Sequence, residues 1–204
     1  MSAPPKTQLS TTPEEAEAIR AAVRNADPTT LGPGRALADH TRVAALVELL
    51  SDPAVSTPVY DLPKPITPAT IAAWIEAARE ERRRGEGLLF VTADGHGGIA
   101  SYSKVTVWPQ LSAAELGGAL RADRQSQGSG GTGAARTIDW IFETLGVRLI
   151  CLTAALDNVR SARLIDHLGF QRMGERENIR PDGTTRRSLY WELTRAAWSA
   201  ARSR

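Results

Sequence analysis

The sequence predicts an α+β domain built around a mixed sheet. Three observations support this: helical periodicity of apolar residues dominates the first part of the chain, two strands joined by a glycine turn follow, and strands then alternate with helices. A chain of 204 residues is long enough for one well-filled core and is no strong reason to expect a second domain.

Helices are predicted in the first part of the chain from their start signals and apolar faces. The first ten residues are expected to be unstructured, and Thr12-Pro13-Glu14-Glu15 then supplies a cap, a first-turn proline and acidic residues. DPTTLGPGR ends this first helix. A second helix is predicted over about 39–50 and a third from Thr67-Pro68, with the loop SDPAVSTPVYDLPKP between them.

Strands are predicted from Gly87 onward. LLFVTAD and IASYSKVTV are typical of antiparallel strands joined by the glycine turn GHGG. AAELGGALR is a third strand, in which Leu116 and Leu120 share one face and Glu115 lies on the other. VRLICLTAAL and RRSLYWELT are further strands, and NVRSARLIDHLGF is a short helix between them.

Composition excludes several classes of protein. The net charge of +2 is too small to indicate a nucleic-acid partner, and the short arginine clusters are typical of solvated faces. Cys151 is the only cysteine and is expected to be a buried strand residue, while His40, His96 and His167 stand far apart, so no metal site is predicted. No signal peptide or spanning helix is evident, which predicts a cytoplasmic protein with no membrane partner.

A glycine-rich stretch, residues 125–133, precedes a helix with an apolar stripe. A flexible connector is one interpretation. The other is an anion site, because the bare amides at a helix N-terminus suit a phosphate and glycines let it approach. The P-loop lysine, the Rossmann context and the G-x-S-x-G elbow are all missing, so a phosphate loop of another kind is indicated.

The motif Gln125-Ser-Gln-Gly128-Ser-Gly130 resembles the Q/R-x-x-G-x-G/A signature of the GNAT superfamily of acyl-CoA-dependent N-acyltransferases. AELGGALR, the N-x-x-S…L-G-F element from Asn158 to Phe170, and SLYWELTRAAW resemble its RimJ/RimL-like branch. The resemblance covers about 36–198. It implies one GNAT domain over 36–204, with a mostly antiparallel sheet flanked by helices, preceded by a tail and an extra helix over 1–35.

The resemblance also implies acetyl-CoA as the co-substrate, with no metal. The pantetheine arm is expected to pair with the strand that contains Gly117-Gly118. Two glycines inside a strand are costly unless a bulge or a close backbone approach requires them, and in this fold a bulge there would splay two neighbouring strands and open a slot. The residues expected to bind the pantetheine arm are Ala119, Leu120, Arg121 and Asn158, and those expected around the pyrophosphate are Gln125, Ser126, Gln127, Gly128, Ser129, Gly130 and Gly131.

Catalytic and acceptor residues follow from the same resemblance. An amine must lose a proton before it attacks a thioester, and Glu115 is the candidate base, with a merely solvated strand carboxylate as the alternative. Ile165 stands where many relatives carry a tyrosine acid, so Ser161 is the candidate substitute, unless its hydroxyl only caps a helix. Tyr60 and Asp61 are the candidate acceptor-binding residues.

These features predict an acetyl-CoA-dependent N-acetyltransferase that acts on a protein N-terminal α-amine or a small-molecule amine. A non-catalytic acyl-CoA sensor or partner-binding module is the alternative, and a monomer and a homodimer both stay open. One departure stands out: the family opens with a strand, whereas TTLGPGRAL, with glycines and a proline, makes a poor one.

Overall fold

A computed structural model of the chain describes residues 4–125 and 129–202. Seven strands form one sheet, with helices on both of its faces. The helices are α1 (Pro13–Asn25), α2 (Val43–Ser51), α3 (Pro53–Ser56), α4 (Pro68–Arg84), α5 (Ser129–Trp140), α6 (Val159–His167) and α7 (Arg195–Arg202). The strands are β1 (Arg35–Leu37), β2 (Gly87–Ala93), β3 (Ile99–Trp108), β4 (Ala113–Leu120), β5 (Leu149–Ala155), β6 (Gln171–Ile179) and β7 (Thr185–Thr194).

The strand order is β1-β2-β3-β4-β5-β7-β6. The pair β4–β5 is parallel, and the other described pairs are antiparallel. This confirms the predicted α+β fold with a mixed, mostly antiparallel sheet and an additional helix, α1, at the N-terminus.

Local capping explains where the predicted helices begin. The Thr12 side chain accepts a hydrogen bond from the Glu15 amide at the start of α1, and Thr67 forms a capping box with Thr70 at the start of α4. The second predicted helix divides into a 3₁₀ turn, His40–Arg42, and α2. The expected proline-rich loop contains the one-turn helix α3.

Two strands were not expected from the sequence. β1 exists despite the glycines and proline before it, because an edge strand of three residues needs a partner on one side only, and β2 supplies that partner. β6 is the other edge strand. Its residues are mostly exposed and polar, so the sequence lacks the apolar alternation that marks a half-buried strand.

The N-terminal segment is not unstructured over its described part. Residues 4–10, which we call the N-terminal arm, lie against the sheet: the Lys6 and Thr7 amides donate to Glu192 on β7, and the Arg148 side chain donates to the Ser10 carbonyl. Such contacts span almost the whole chain, so local sequence patterns do not reveal them.

Apolar side chains cover both faces of the sheet. One face packs against α1, α5, α6 and α7, and the other against α2, α3 and α4. Ile19 and Val23 of α1 join the first core, so the extra helix packs with the domain expected over 36–204. Each fully buried aliphatic side chain contributes about 1.5–3 kcal/mol, which holds the two layers on a common sheet. In the described part of the chain, no helix combines the length and apolarity needed to cross a membrane.

Candidate active site

A gap opens in the middle of the sheet where β4 and β5 separate. The two strands pair only from Ala113 to Glu115, opposite Leu149 to Cys151. Beyond that point β4 continues to Leu120 and β5 continues to Ala155, without further pairing between them. A strand edge without a neighbouring strand is therefore offered to a ligand in the gap.

Glycine allows β4 to lie close to β3 at this point. A Cβ on Gly118 would be 2.4 Å from the Tyr102 carbonyl oxygen, a distance that no side chain tolerates. The register between β3 and β4 is continuous from Ser101↔Leu120 to Trp108↔Ala113. The expected bulge at Gly117-Gly118 is therefore wrong. The close backbone approach is what requires glycine, and the slot arises from the separation of β4 from β5.

The register also decides which β4 groups face the gap. The Arg121 amide donates to the Ala100 carbonyl at 2.8 Å, so Arg121 and, by alternation, Ala119 direct their polar backbone groups toward β3. Gly118 and Leu120 then direct theirs toward the gap. The Leu120 carbonyl accepts a hydrogen bond from Gln125 Nε2 at 2.7 Å.

The surroundings of Arg121 do not fit the pantetheine-binding role that was expected for it. Its guanidinium donates to Asp94 and Asp123, and these bonds raise its pKa above the usual value. It does not line the gap. Of the three consecutive residues expected to pair with pantetheine, Leu120 therefore has the suitable backbone orientation.

Glu115 lies at the point where the strands separate. It is 6% exposed, so it is not the solvated strand carboxylate that was the alternative interpretation. Thr153 Oγ1 donates to Glu115 Oε1 at 3.2 Å. Thr153 was missed by the sequence analysis, although β5 alternation places it on the same face as Cys151, the partner of Glu115.

Ser161 and Asn158 lie at the start of α6. The cap of this helix is Asn158, whose Oδ1 accepts from the Ser161 amide at 3.1 Å, so the Ser161 hydroxyl is not needed for capping. Ile165, one turn further, is buried in the core and leaves no acid at the position of the missing tyrosine.

A cleft of about 660 Å³ collects most of the predicted residues. Ser126, Gln127 and Gly128 lie outside the described residues, and Ser129 and Gly130 begin α5. The predicted residues that line the cleft are Tyr60, Asp61, Glu115, Ala119, Leu120, Gln125, Gly131, Asn158 and Ser161.

The wall opposite α6 contains the two candidate acceptor residues. Tyr60 is buried, and the Arg186 guanidinium lies 5.2 Å from the centre of its ring. Asp61 forms an ion pair with Lys104 at 3.8 Å. Lys104 and Arg186 also line the cleft and had no motif by which to recognise them.

Three further arginines line the cleft on its α5 and α6 side. Arg35 donates to Thr137 Oγ1, Arg124 to the Asp94 carbonyl and Arg160 to Gln125 Oε1. Among the described residues, none of the three has a carboxylate within 4.0 Å. A cleft with uncompensated guanidinium groups favours an anionic ligand.

Cys151 is a buried strand residue, as expected. It is fully buried, and burial raises the pKa of its thiol to about 12. The neutral thiol is a poor nucleophile. Within residues 4–125 and 129–202, no group of three or more His, Cys, Asp and Glu side chains is placed to hold a metal ion.

Residues 35–171 match the family model described as an acetyltransferase (GNAT) domain. The chain belongs to the GNAT acetyltransferase family. The match covers most of the sheet and the whole of the β4–β5 gap. It ends before β7 and excludes the N-terminal arm. None of the curated proteins matches this GNAT chain in sequence.

Solved structures share the GNAT fold. A ribosomal-protein-S5-alanine acetyltransferase from Vibrio fischeri has a TM-score of 0.67 at 17% identity, covering 80% of this chain and 93% of that one. Mycobacterium smegmatis RimJ in complex with CoA-disulfide has a TM-score of 0.67 at 19% identity, covering 79% and 81%.

RimL, a ribosomal L7/L12 α-N-protein acetyltransferase in complex with coenzyme A, has a TM-score of 0.68 at 17% identity, covering 82% of this chain and 97% of that one. The TM-scores of these structures show a shared fold. The predicted GNAT membership is confirmed by the family model, and the RimJ/RimL-like branch stays a prediction from the sequence motifs.

Proposed function

We propose that this GNAT protein is an acetyl-CoA-dependent N-acetyltransferase that transfers an acetyl group to a primary amine by direct attack in a ternary complex. The observation that carries the proposal is the position of Glu115. It is a buried carboxylate at the point where β4 and β5 separate, and it lines the same cleft as Ser161 on α6.

The cofactor half of the cleft suits acetyl-CoA. Gly118 and Leu120 offer backbone groups to the amides of the pantetheine arm. Asn158 uses its Oδ1 to cap α6, and its Nδ2 is proposed to donate a hydrogen bond to the same arm. The amides of residues 126–131 are proposed to hold the pyrophosphate. The cationic lining from Arg124 and Arg160 fits the charge of the phosphates.

Acetyl-CoA, when bound, supplies the thioester, and the residues of this chain manage the protons. Deprotonation at pH 7 costs about 4–5 kcal/mol for a lysine-like amine and about 1 kcal/mol for an α-amine. Glu115 is proposed to accept this proton, directly or through a water, while Thr153 orients its carboxylate. Ser161 is proposed to donate a hydrogen bond to the departing thiolate.

The acceptor is a protein N-terminal α-amine or a small-molecule amine, and we propose that it enters along Tyr60 and Asp61. The ion pair of Asp61 with Lys104 holds this wall beside the cleft. A cytoplasmic location, metal-independent catalysis and the division at residue 35 stay predictions from the sequence.

The direct test is a panel of amines read by release of free thiol from acetyl-CoA. The panel contains peptides with free N-termini, the same peptides with blocked N-termini, lysine, polyamines and aminoglycosides. We expect thiol release with at least one free amine and none with the blocked peptides. Binding of acetyl-CoA without turnover on any amine would instead favour a non-catalytic sensor.

A further inference from the structure

The cleft extends past β4 along the sheet, beneath α5. In this region the register aligns Arg35 on β1 with Thr92 on β2, Ser101 on β3 and Leu120 on β4. All four residues line the cleft. Since paired residues in neighbouring strands share a face, the two hydroxyls lie in a row that leads from the proposed pantetheine strand to the Arg35 guanidinium.

Small residues of α5 form the roof of this extension. Gly131, Gly133 and Ala134 line the cleft, and a Cβ on Gly133 would have no heavy atom within 4 Å. Thr137, one turn after Gly133, donates to the Gly133 carbonyl at 2.9 Å and accepts from Arg35 at 3.2 Å. The helix therefore leaves room above the row of hydroxyls, and its Thr137 hydroxyl positions the Arg35 guanidinium at the end of that row.

Arg35 is a half-buried cation that has no counter-ion among residues 4–125 and 129–202. No carboxylate of the described residues lies within 4.0 Å of its guanidinium. Burial lowers the pKa of the guanidinium below its usual value, and the charge that adds to this effect is another cation, Arg136. Arg35 stays protonated, so the site carries a positive charge that is only partly solvated. Such a charge is costly unless an anion compensates it.

Arginines of the outer surface have a different environment. Arg79 and Arg83 pair with Glu76 on the exposed face of α4, and Arg148 pairs with Glu15 of α1. Their charges are compensated within the chain. Arg35 has no such partner in the part of the chain that the structure describes, although it is more buried, so its environment points to a ligand.

We propose that Arg35 and the hydroxyls of Thr92 and Ser101 form a second phosphate subsite of the cleft, separate from the glycine-rich loop, with the Thr137 hydroxyl holding the Arg35 guanidinium in place. A phosphate oxyanion accepts several hydrogen bonds at once, and it matches both the guanidinium fork and a set of hydroxyl donors. The phosphate comes from the acyl-CoA donor or is free inorganic phosphate. With the first source, the subsite rests on the proposed function.

The test compares wild type, Arg35→Gln and, as a matched control, Arg79→Gln on the exposed face of α4. Dissociation constants are measured by calorimetry for coenzyme A, 3′-dephospho-coenzyme A and inorganic phosphate. We expect Arg35→Gln to weaken one of these ligands by about 10- to 100-fold, the range for loss of a charge-assisted hydrogen bond. Arg79→Gln should leave all three constants unchanged.

The ligand series identifies the source. Preferential weakening of coenzyme A indicates its 3′-phosphate. Equal weakening of both coenzymes would assign Arg35 to the diphosphate, which the glycine-rich loop is proposed to hold, and would overturn a separate subsite. Weakening of inorganic phosphate alone indicates a free anion. If wild type binds neither coenzyme, the proposed function fails, and the inorganic phosphate series still decides on the subsite. Unchanged constants for all three ligands in Arg35→Gln overturn the subsite.

A second variant keeps the proposal testable if Arg35→Gln does not fold. Ser101→Ala removes one proposed donor from a β3 position that is not fully buried. It should weaken the same ligand by about fivefold, the range for one neutral hydrogen bond, with an unchanged unfolding temperature. Retention of wild-type affinity would contradict the subsite.

Discussion

Two buried glutamates, Glu115 on β4 and Glu192 on β7, flank Cys151 on the same face of the sheet. They are 6% and 4% exposed, so burial alone does not distinguish them. Their surroundings distinguish the two carboxylates. Glu192 Oε1 accepts from the Lys6 amide at 2.7 Å, the Thr7 amide at 3.1 Å and the Tyr190 hydroxyl at 2.6 Å.

Glu115 instead lines the cleft where β4 and β5 separate. The chain covers one of these carboxylates with its own N-terminal arm and leaves the other facing a space for ligands. A buried acid is therefore a candidate base when its carboxylate faces a space for ligands. Glu192 is accordingly a stabilising residue, and Glu115 is the proposed catalytic one.

The largest expected effect is on the activity of Glu115→Gln. A positioned general base contributes about 10²–10⁴-fold, so kcat/KM at pH 7 should fall by that factor, with partial recovery at higher pH as free amine accumulates. The unfolding temperature should stay close to that of wild type, because glutamine keeps an acceptor for Thr153. An unchanged pH–rate profile would assign the base elsewhere.

Glu192→Ala should show the opposite behaviour. It leaves the Lys6 and Thr7 amides and the Tyr190 hydroxyl without their acceptor, which should cost about 3 kcal/mol in the free energy of unfolding. For a chain of this size the unfolding temperature should fall by about 6–12 °C. A loss of activity without a loss of stability would break the comparison. Thermal unfolding and kcat/KM are measured on the same preparation.

A smaller effect is expected in the pH dependence of stability. Burial alone would raise the pKa of Glu192, but hydrogen bonds from Thr7, Tyr190 and Lys6 hold it below its usual value of 4.5. Ionised Glu192 therefore stabilises the fold fully above about pH 4.5, and this contribution is lost as the pH falls through the folded-state pKa.

Glu192→Gln isolates this contribution. Wild type should exceed the variant by about 2 kcal/mol at pH 7, and the difference should shrink below about pH 4.5. Urea unfolding of both proteins from pH 7 to pH 3 measures it. A difference that does not change with pH would show that charge is not the cause.

The smallest effect is expected for Ser161→Ala. A coenzyme A thiol resembles a cysteine, with a pKa near about 8.5, so its thiolate already leaves readily. The loss in kcat/KM should be about tenfold, or about 1.4 kcal/mol. Asn158 caps α6, so stability should be unaffected. A loss larger than that of Glu115→Gln would reverse the proposed roles of the two residues.

Features that depend on interactions between residues close in sequence were predicted, and features that depend on contacts between distant segments were not. Thr12 and Thr67 marked two helix starts correctly, because a cap bonds to amides three residues away. Strand alternation, which is equally local, placed Glu115 and Leu116 on opposite faces of the sheet. β1, β6 and the N-terminal arm were missed because each forms through contacts with distant segments.

The sequence by itself determined the order of helices and strands, the GNAT resemblance and the candidate acid. Only the tertiary structure decided that Glu192 is covered while Glu115 faces the cleft, that Arg121 is held by Asp94 and Asp123, and that no carboxylate of the described residues pairs with Arg35. Capping and periodicity act within a few residues, whereas burial and charge compensation depend on which distant segments pack together.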